Sequence, residues 1–265
     1  MECLFCRGSG PFNTKEHIVP ESLGNDTDVL VNMVCDRCQN YFSHSVEKPV
    51  LESTPIGFWR TYLGVLSKRK KLSRFSSSPP NRGRMPSQHP ASDHFEIIAE
   101  EDFTTTLKIG SEIKEAISRG NRDSLQIVLS PWHLSIMGRF LGKVGLEYLA
   151  LTSPSSAMAV ELDPIRRYAR FGSLNSIWPI YFGKTGQLNE LREEKFSSTG
   201  GGWEIESEFY RFSLGQWQTG GYVFAFGMGT DLYAMDFTSN APNDHMKSVV
   251  TECVLECVHY PPGTF

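Results

Sequence analysis

Apolar positions along the 265-residue chain follow two different periods. From residue 203 onward they alternate with other positions, in Trp203-Glu204-Ile205-Glu206, Tyr222–Phe226, Leu232–Met235 and Val249–Val258, with Gly220-Gly221 and Gly227-Met228-Gly229 between the runs. Period two bounded by glycines predicts an antiparallel sheet. Upstream, Leu134, Met137, Phe140, Leu141, Val144, Leu146, Tyr148 and Leu149 recur at three-and-four spacing after Pro131, which predicts a long core helix over 132–151. Residues 106–119 predict a shorter helix and 124–129 a strand. Ser76-Ser77-Ser78-Pro79-Pro80 belongs to a stretch without periodicity, so 73–94 is expected to be a basic Ser/Pro-rich linker. The expected division is 1–72, the linker, and an α+β domain over 95–265 built on the antiparallel sheet.

Composition makes this an ordinary globular chain, 40% hydrophobic and 21% charged. No apolar run reaches the ~18–20 residues of a membrane span. The helix candidate at 134–151 is broken by Arg139, Lys143 and Glu147, so no membrane partner is expected. No secretory leader is visible, and the expected compartment is the cytoplasm. The net charge of −4 conceals an asymmetry: residues 1–92 carry 12 Lys+Arg and 8 Asp+Glu, residues 93–265 carry 14 and 22. The basic part includes Lys68, Arg69, Lys70, Lys71 and Arg74, a run suited to guiding a nucleic-acid backbone. The aromatics Trp203, Trp217, Tyr222, Phe224 and Phe226, at period two, predict the inner face of the sheet ahead of a pocket for a flipped base.

Four of six cysteines form two Cys-x-x-Cys pairs, Cys3/Cys6 and Cys35/Cys38. In a reducing compartment such pairs read as ligands of one tetrahedral zinc rather than as disulfides. Cys253 and Cys257, near His259, read as small core residues. The 28 residues between Cys6 and Cys35 enclose Glu16-His17-Ile18-Val19-Pro20 and Val31-Asn32-Met33-Val34, and Cys35-Asp36-Arg37-Cys38 continues into Gln39-Asn40-Tyr41-Phe42-Ser43. Phosphodiester hydrolysis needs a water, a base for its proton and a cation to neutralise developing charge, and Glu16, His17 and Asn40 are residue types suited to those needs. Glu16 and His17, adjacent on a strand, should point to opposite faces unless the strand bends or the turn at Pro20 redirects one of them.

This order of motifs resembles the HNH endonucleases over residues 1–45, in particular small bacterial members with zinc knuckles. The resemblance implies a ββα-metal finger with a structural zinc on Cys3, Cys6, Cys35 and Cys38. It implies His17 as general base, Glu16 and Asn40 as ligands of a catalytic Mg²⁺ or Mn²⁺, and Asn32 as an orienting residue. Glu16 stands where many relatives have Asp, and Gln39 is the reserve ligand beside Asn40. His44 is read equally as a phosphate contact and as a solvent-facing residue. The expected function is metal-dependent cleavage of DNA, in restriction or antiphage defence, directed or restrained by residues 95–265. The alternative is a zinc-stabilised DNA-binding or regulatory protein that does not cut. A third reading is an effector released by an activating ligand or protein partner. A site that nicks one strand would cut both through a homodimer or two encounters.

Overall fold

The computed structural model describes residues 1–67, 69–77, 95–99, 105–121, 127, 129–172, 177–184, 203–207, 209–218, 220–249 and 254–258. The chain is a mixture of helices and antiparallel sheets. Glu16–His17 (β1) pairs with Val29–Leu30 (β2), and Asp36–Phe42 (α1) follows, completing a short ββα start. A wider turn at residues 43–47 carries α1 into Lys48–Ser53 (α2). Thr54 is extended, and Pro55, its φ already helical, restarts the chain as Pro55–Tyr62 (α3).

Arg74–Ser76 (β3), Phe95–Ala99 (β4) and Thr105–Ile109 (β5) form a three-stranded antiparallel sheet in that order. β3 lies inside the stretch expected to be linker, whereas 78–94 fall outside the described residues. The helix expected over 106–119 is confined to Ser111–Ser118 (α4). Thr105, Thr106 and Ile109 are β-branched and Gly110 interrupts the helical pattern, so the first part joins the sheet instead. Most of the strand expected at 124–129 also lies outside the described residues.

Pro131–Thr152 (α5) is the long helix that its periodicity predicts. Ser130 caps it: the hydroxyl accepts from the His133 amide, and the Ser130 amide donates to His133 Nδ1. Pro154–Ala157 (α6) and Asp163–Phe171 (α7) pack back on α5. Ile180–Lys184 (β6), Trp203–Glu206 (β7), Tyr210–Gln216 (β8), Tyr222–Met228 (β9), Asp231–Asp236 (β10) and Glu256–Val258 (β11) form an antiparallel sheet in the order β11-β6-β10-β9-β8-β7. Of the strand expected over 249–258, Glu256–Val258 is strand and 250–253 lie outside the described residues, while β6 was not foreseen.

Alternation along the strands covers both faces of this sheet. Phe224, Phe226, Tyr233 and Met235 join the core around α5. Val223, Ala225, Leu232 and Ala234 pack with Met246, Val249 and Leu255 on the other side, where half-buried Trp217 also lies. The expectation of an inner sheet face therefore fits Phe224 and Phe226, while the side chain of Trp203 lies outside the description. The core around α5 also contains Leu4, Ile18, Leu23, Leu30, Val34, Phe42 and Val46. The segments on either side of the boundary expected at residue 72 thus share one apolar interior. Among the described residues, no helix is long and apolar enough to cross a membrane.

Candidate functional site

The two knuckles are built by turns. The Cys3 carbonyl accepts from the Arg7 amide, and Cys35, at the N-cap of α1, accepts from the amides of Cys38 and Gln39. The Leu4 amide donates to the Met33 carbonyl, holding the knuckles together. As a result the Sγ atoms of Cys3, Cys6, Cys35 and Cys38 all lie within 4.8 Å of one another, with Cys6 and Cys35 3.6 Å apart. A tetrahedral zinc with Zn–S of ~2.3 Å requires sulfur separations of about 3.8 Å, so the donor set fits a structural zinc. Hydrogen bonding from Cys38 pulls the Cys3 thiol down to about 4, whereas the same contact pushes Cys38 up and burial pushes Cys35 up. Four close sulfurs cannot all ionise without a cation among them. Arg170 on α7 donates to Cys38 Sγ at 3.3 Å, a positive charge set against the sulfur cluster.

The enclosed hairpin directs Glu16 and His17 differently, as alternation on an unbent strand requires. Glu16 turns inward, where its Oε1 lies 2.7 Å from Lys143 Nζ on α5. His17 turns toward the segment following Pro20, with Nε2 3.8 Å from Glu21 Oε2 and its side chain 28% exposed. Its Nδ1 is enclosed and has no hydrogen-bond partner among the described residues. Lys143 is wholly buried, also meets Glu47 Oε1 at 2.8 Å and Glu147 Oε2 at 2.9 Å, and donates to the carbonyls of His17 and Ile18 at 3.1 and 3.2 Å. Burial alone would lower the Lys143 ammonium, but Glu147, Glu16 and Glu47 outweigh it and hold it well above its usual range. Burial raises Glu147 and, against the pull of Lys143, Glu16 as well.

A histidine on a two-strand hairpin, enclosed by paired cysteine knuckles and followed by a helix, is the arrangement on which the comparison with known families turns. Residues 3–54 match the HNH endonuclease family. Residues 55–265 lie outside that match, and no curated protein or solved structure matches the chain.

Within the HNH segment the remaining expected residues are more dispersed. Asn40 is exposed on α1, and its carbonyl lies 2.8 Å from Nδ1 of the exposed His44. Gln39 is engaged in structure: its amide donates to the carbonyls of Val34 and Thr14, and its oxygen accepts from the Thr14 hydroxyl. Asn32 is exposed and left-handed, at φ 62°, a conformation asparagine tolerates better than most residues. Asn25, not singled out by motif, organises the loop after His17: its amide donates to the carbonyls of Val19 and Asp28, and its oxygen accepts from the amides of Thr27 and Asp28. Its signal is the run Gly24-Asn25-Asp26-Thr27-Asp28, rich in residues whose side chains bond nearby backbone.

The HNH segment is tied to its surroundings by residues beyond the match. Arg60 on α3 donates to the Ser22 carbonyl at 2.8 Å, bracing the turn after His17. Arg139 on α5 donates to the Tyr41 hydroxyl, and the Arg170 guanidinium lies 3.6 Å from the centre of the same ring. After α3, Arg69, Lys70 and Lys71 are exposed on a turn closed between Ser67 and Lys71, whereas Arg74 is paired with Glu96. Lys68 lies outside the described residues, as do Cys253 and His259; Cys257 is half-buried. The residues that motif reading missed, Lys143 and Glu147, did leave a mark. Arg139, Lys143 and Glu147 are charges at four-residue spacing on one face of an otherwise apolar helix.

Proposed function

We propose that this protein is an endonuclease that hydrolyses DNA phosphodiester bonds with His17 as general base. The observation that carries this reading is the HNH match over residues 3–54 on a segment whose hairpin presents His17 between two cysteine knuckles. The His17 side chain is part exposed, with Nε2 3.8 Å from Glu21 Oε2 and Nδ1 enclosed, so the Nε2 edge is the one open to a water and substrate. The cysteine cluster holds zinc as a structural ion, and the exposed Arg69, Lys70 and Lys71 supply phosphate contacts.

Mg²⁺ or Mn²⁺ is the proposed catalytic cofactor, and such an ion would neutralise charge developing on the phosphate. Glu16 and Asn40 are its expected ligands, yet as arranged they do not fit one open cradle. The Glu16 carboxylate is buried against Lys143 and Asn40 stands in solvent. Among the described residues, the four cysteines are the only group of three or more His, Cys, Asp or Glu whose ligand atoms converge in this way. No step is therefore assigned to the ion. The burial of Glu16 favours a second reading, a zinc-stabilised DNA-binding protein that does not cut.

Incubation of supercoiled plasmid with the purified protein, with and without Mg²⁺ or Mn²⁺, separates the two. Nicking by wild type that falls by a factor of about 10²–10⁴ in His17→Ala supports the endonuclease. Equal nicking by both would sink the role of His17, and DNA binding without cleavage under every metal condition would select the second reading.

A further inference from the structure

Lys143 lies outside the HNH match, in the middle of α5, yet it meets the hairpin at three points: the Glu16 carboxylate and the carbonyls of His17 and Ile18. A fully buried ammonium is costly unless its donors are well placed, and an apolar residue would serve packing here at least as well. Its neighbours show what its position does. Glu47, on the turn between α1 and α2, and Glu147, one helical turn further along α5, flank it. These two and Glu16 hold the ammonium from three elements, while two of its contacts fall on the backbone of the base and of the residue after it.

β1 is only two residues long and, among the described residues, pairs only with β2. A strand that short has little of its own to define the direction of its side chains. We propose that Lys143 is a positioning residue of the nuclease site, clamping the backbone that carries His17, so that α5 is a working part of the catalytic unit. This rests on the endonuclease reading. The clamp acts through His17 and need not touch DNA, consistent with an ammonium that has no exposed surface.

The test uses the full chain as wild type, Lys143→Arg, Lys143→Met and the charge-balanced Lys143→Met/Glu147→Gln. Each is assayed for zinc content, affinity for a labelled duplex, plasmid-nicking kinetics and the NMR signals of the His17 ring. The charge-balanced variant is expected to keep its zinc and its duplex affinity within about threefold, to lose kcat by about 30-fold or more with KM within about threefold, and to show displaced His17 ring signals with those of exposed His44 unmoved. Lys143→Arg, which keeps donors and charge, should recover part of that loss. A charge-balanced variant with kcat within threefold of wild type, or with undisturbed His17 signals, overturns the proposal. If no Lys143 variant accumulates as zinc-loaded protein, Glu47→Gln is read instead: a several-fold fall in kcat at unchanged KM supports the clamp, and unchanged kcat overturns it. Failure of wild type to nick sinks the endonuclease reading and the clamp with it, whereas a nicking wild type with indifferent variants sinks the clamp alone.

Discussion

At the scale of single residues, the chain buries ionisable groups where each does something different. His133 is almost fully buried at the start of α5, and burial lowers its pKa from 6.5 to about 4. Unfolding exposes it to water, where it takes a proton below about pH 6.5. The contribution of the neutral ring is therefore complete above that pH and is lost progressively as pH falls toward 4. A shift of this size amounts to about 3 kcal/mol at the acid end. His133→Gln keeps an acceptor at the third position of the capping box and removes the titration. Its urea midpoint should fall less than that of wild type between pH 7 and pH 4.5; parallel falls would contradict the assignment. Lys143 and Glu147, also buried, face each other at 2.9 Å inside one cluster.

At the scale of elements, α5 is the piece on which both the sheet and the hairpin depend. Close packing requires its glycines at particular points. A Cβ at Gly145 would come within 2.4 Å of the Phe237 ring and 2.8 Å of Phe224. At Gly142 the nearest atom, at 3.3 Å, is the flexible end of Ile165. Helix propensity alone favours alanine over glycine by about 1 kcal/mol. At Gly145 the clash reverses that preference, since two core rings must move, and Gly145→Ala should destabilise by about 1–3 kcal/mol. Gly142→Ala should lie within about 1 kcal/mol of wild type. Denaturant titration of the two variants decides the matter, and equal stabilities would mean that the approach of α5 to the sheet is looser than its geometry implies.

At the scale of the whole molecule, the knuckle cluster and the sheet share one core, so a metal held by the four cysteines would be linked to the fold. Cys3, Cys35 and Cys38 are themselves part of the buried cluster that reaches α5. Removal of zinc with a strong chelator, or Cys35→Ser, is expected to lower the temperature of a single calorimetric transition for the whole chain. Two separate transitions, with only the smaller one sensitive to metal, would show that the N-terminal part folds by itself. For the same reason a fragment of residues 1–72 should lack a dispersed amide spectrum even with zinc, having lost Lys143, Arg170 and the apolar wall of α5.

The residues of the chain by themselves determined the four-cysteine cluster, the long helix and the alternating sheet. Each of these follows from local spacing: two-residue gaps between cysteines, three-and-four apolar spacing, and period two. The short helix before residue 119 was misread because local propensity competes with sheet pairing, and β-branched Thr105, Thr106 and Ile109 found partners in β4. What only the tertiary structure decided is where the charges go. Motif order cannot show that Glu16 faces an ammonium 127 residues away, or that the charges interrupting an apolar helix are its buried contacts to the hairpin. Such pairings depend on which elements pack against which, and a sequence read by period and spacing holds no record of that choice.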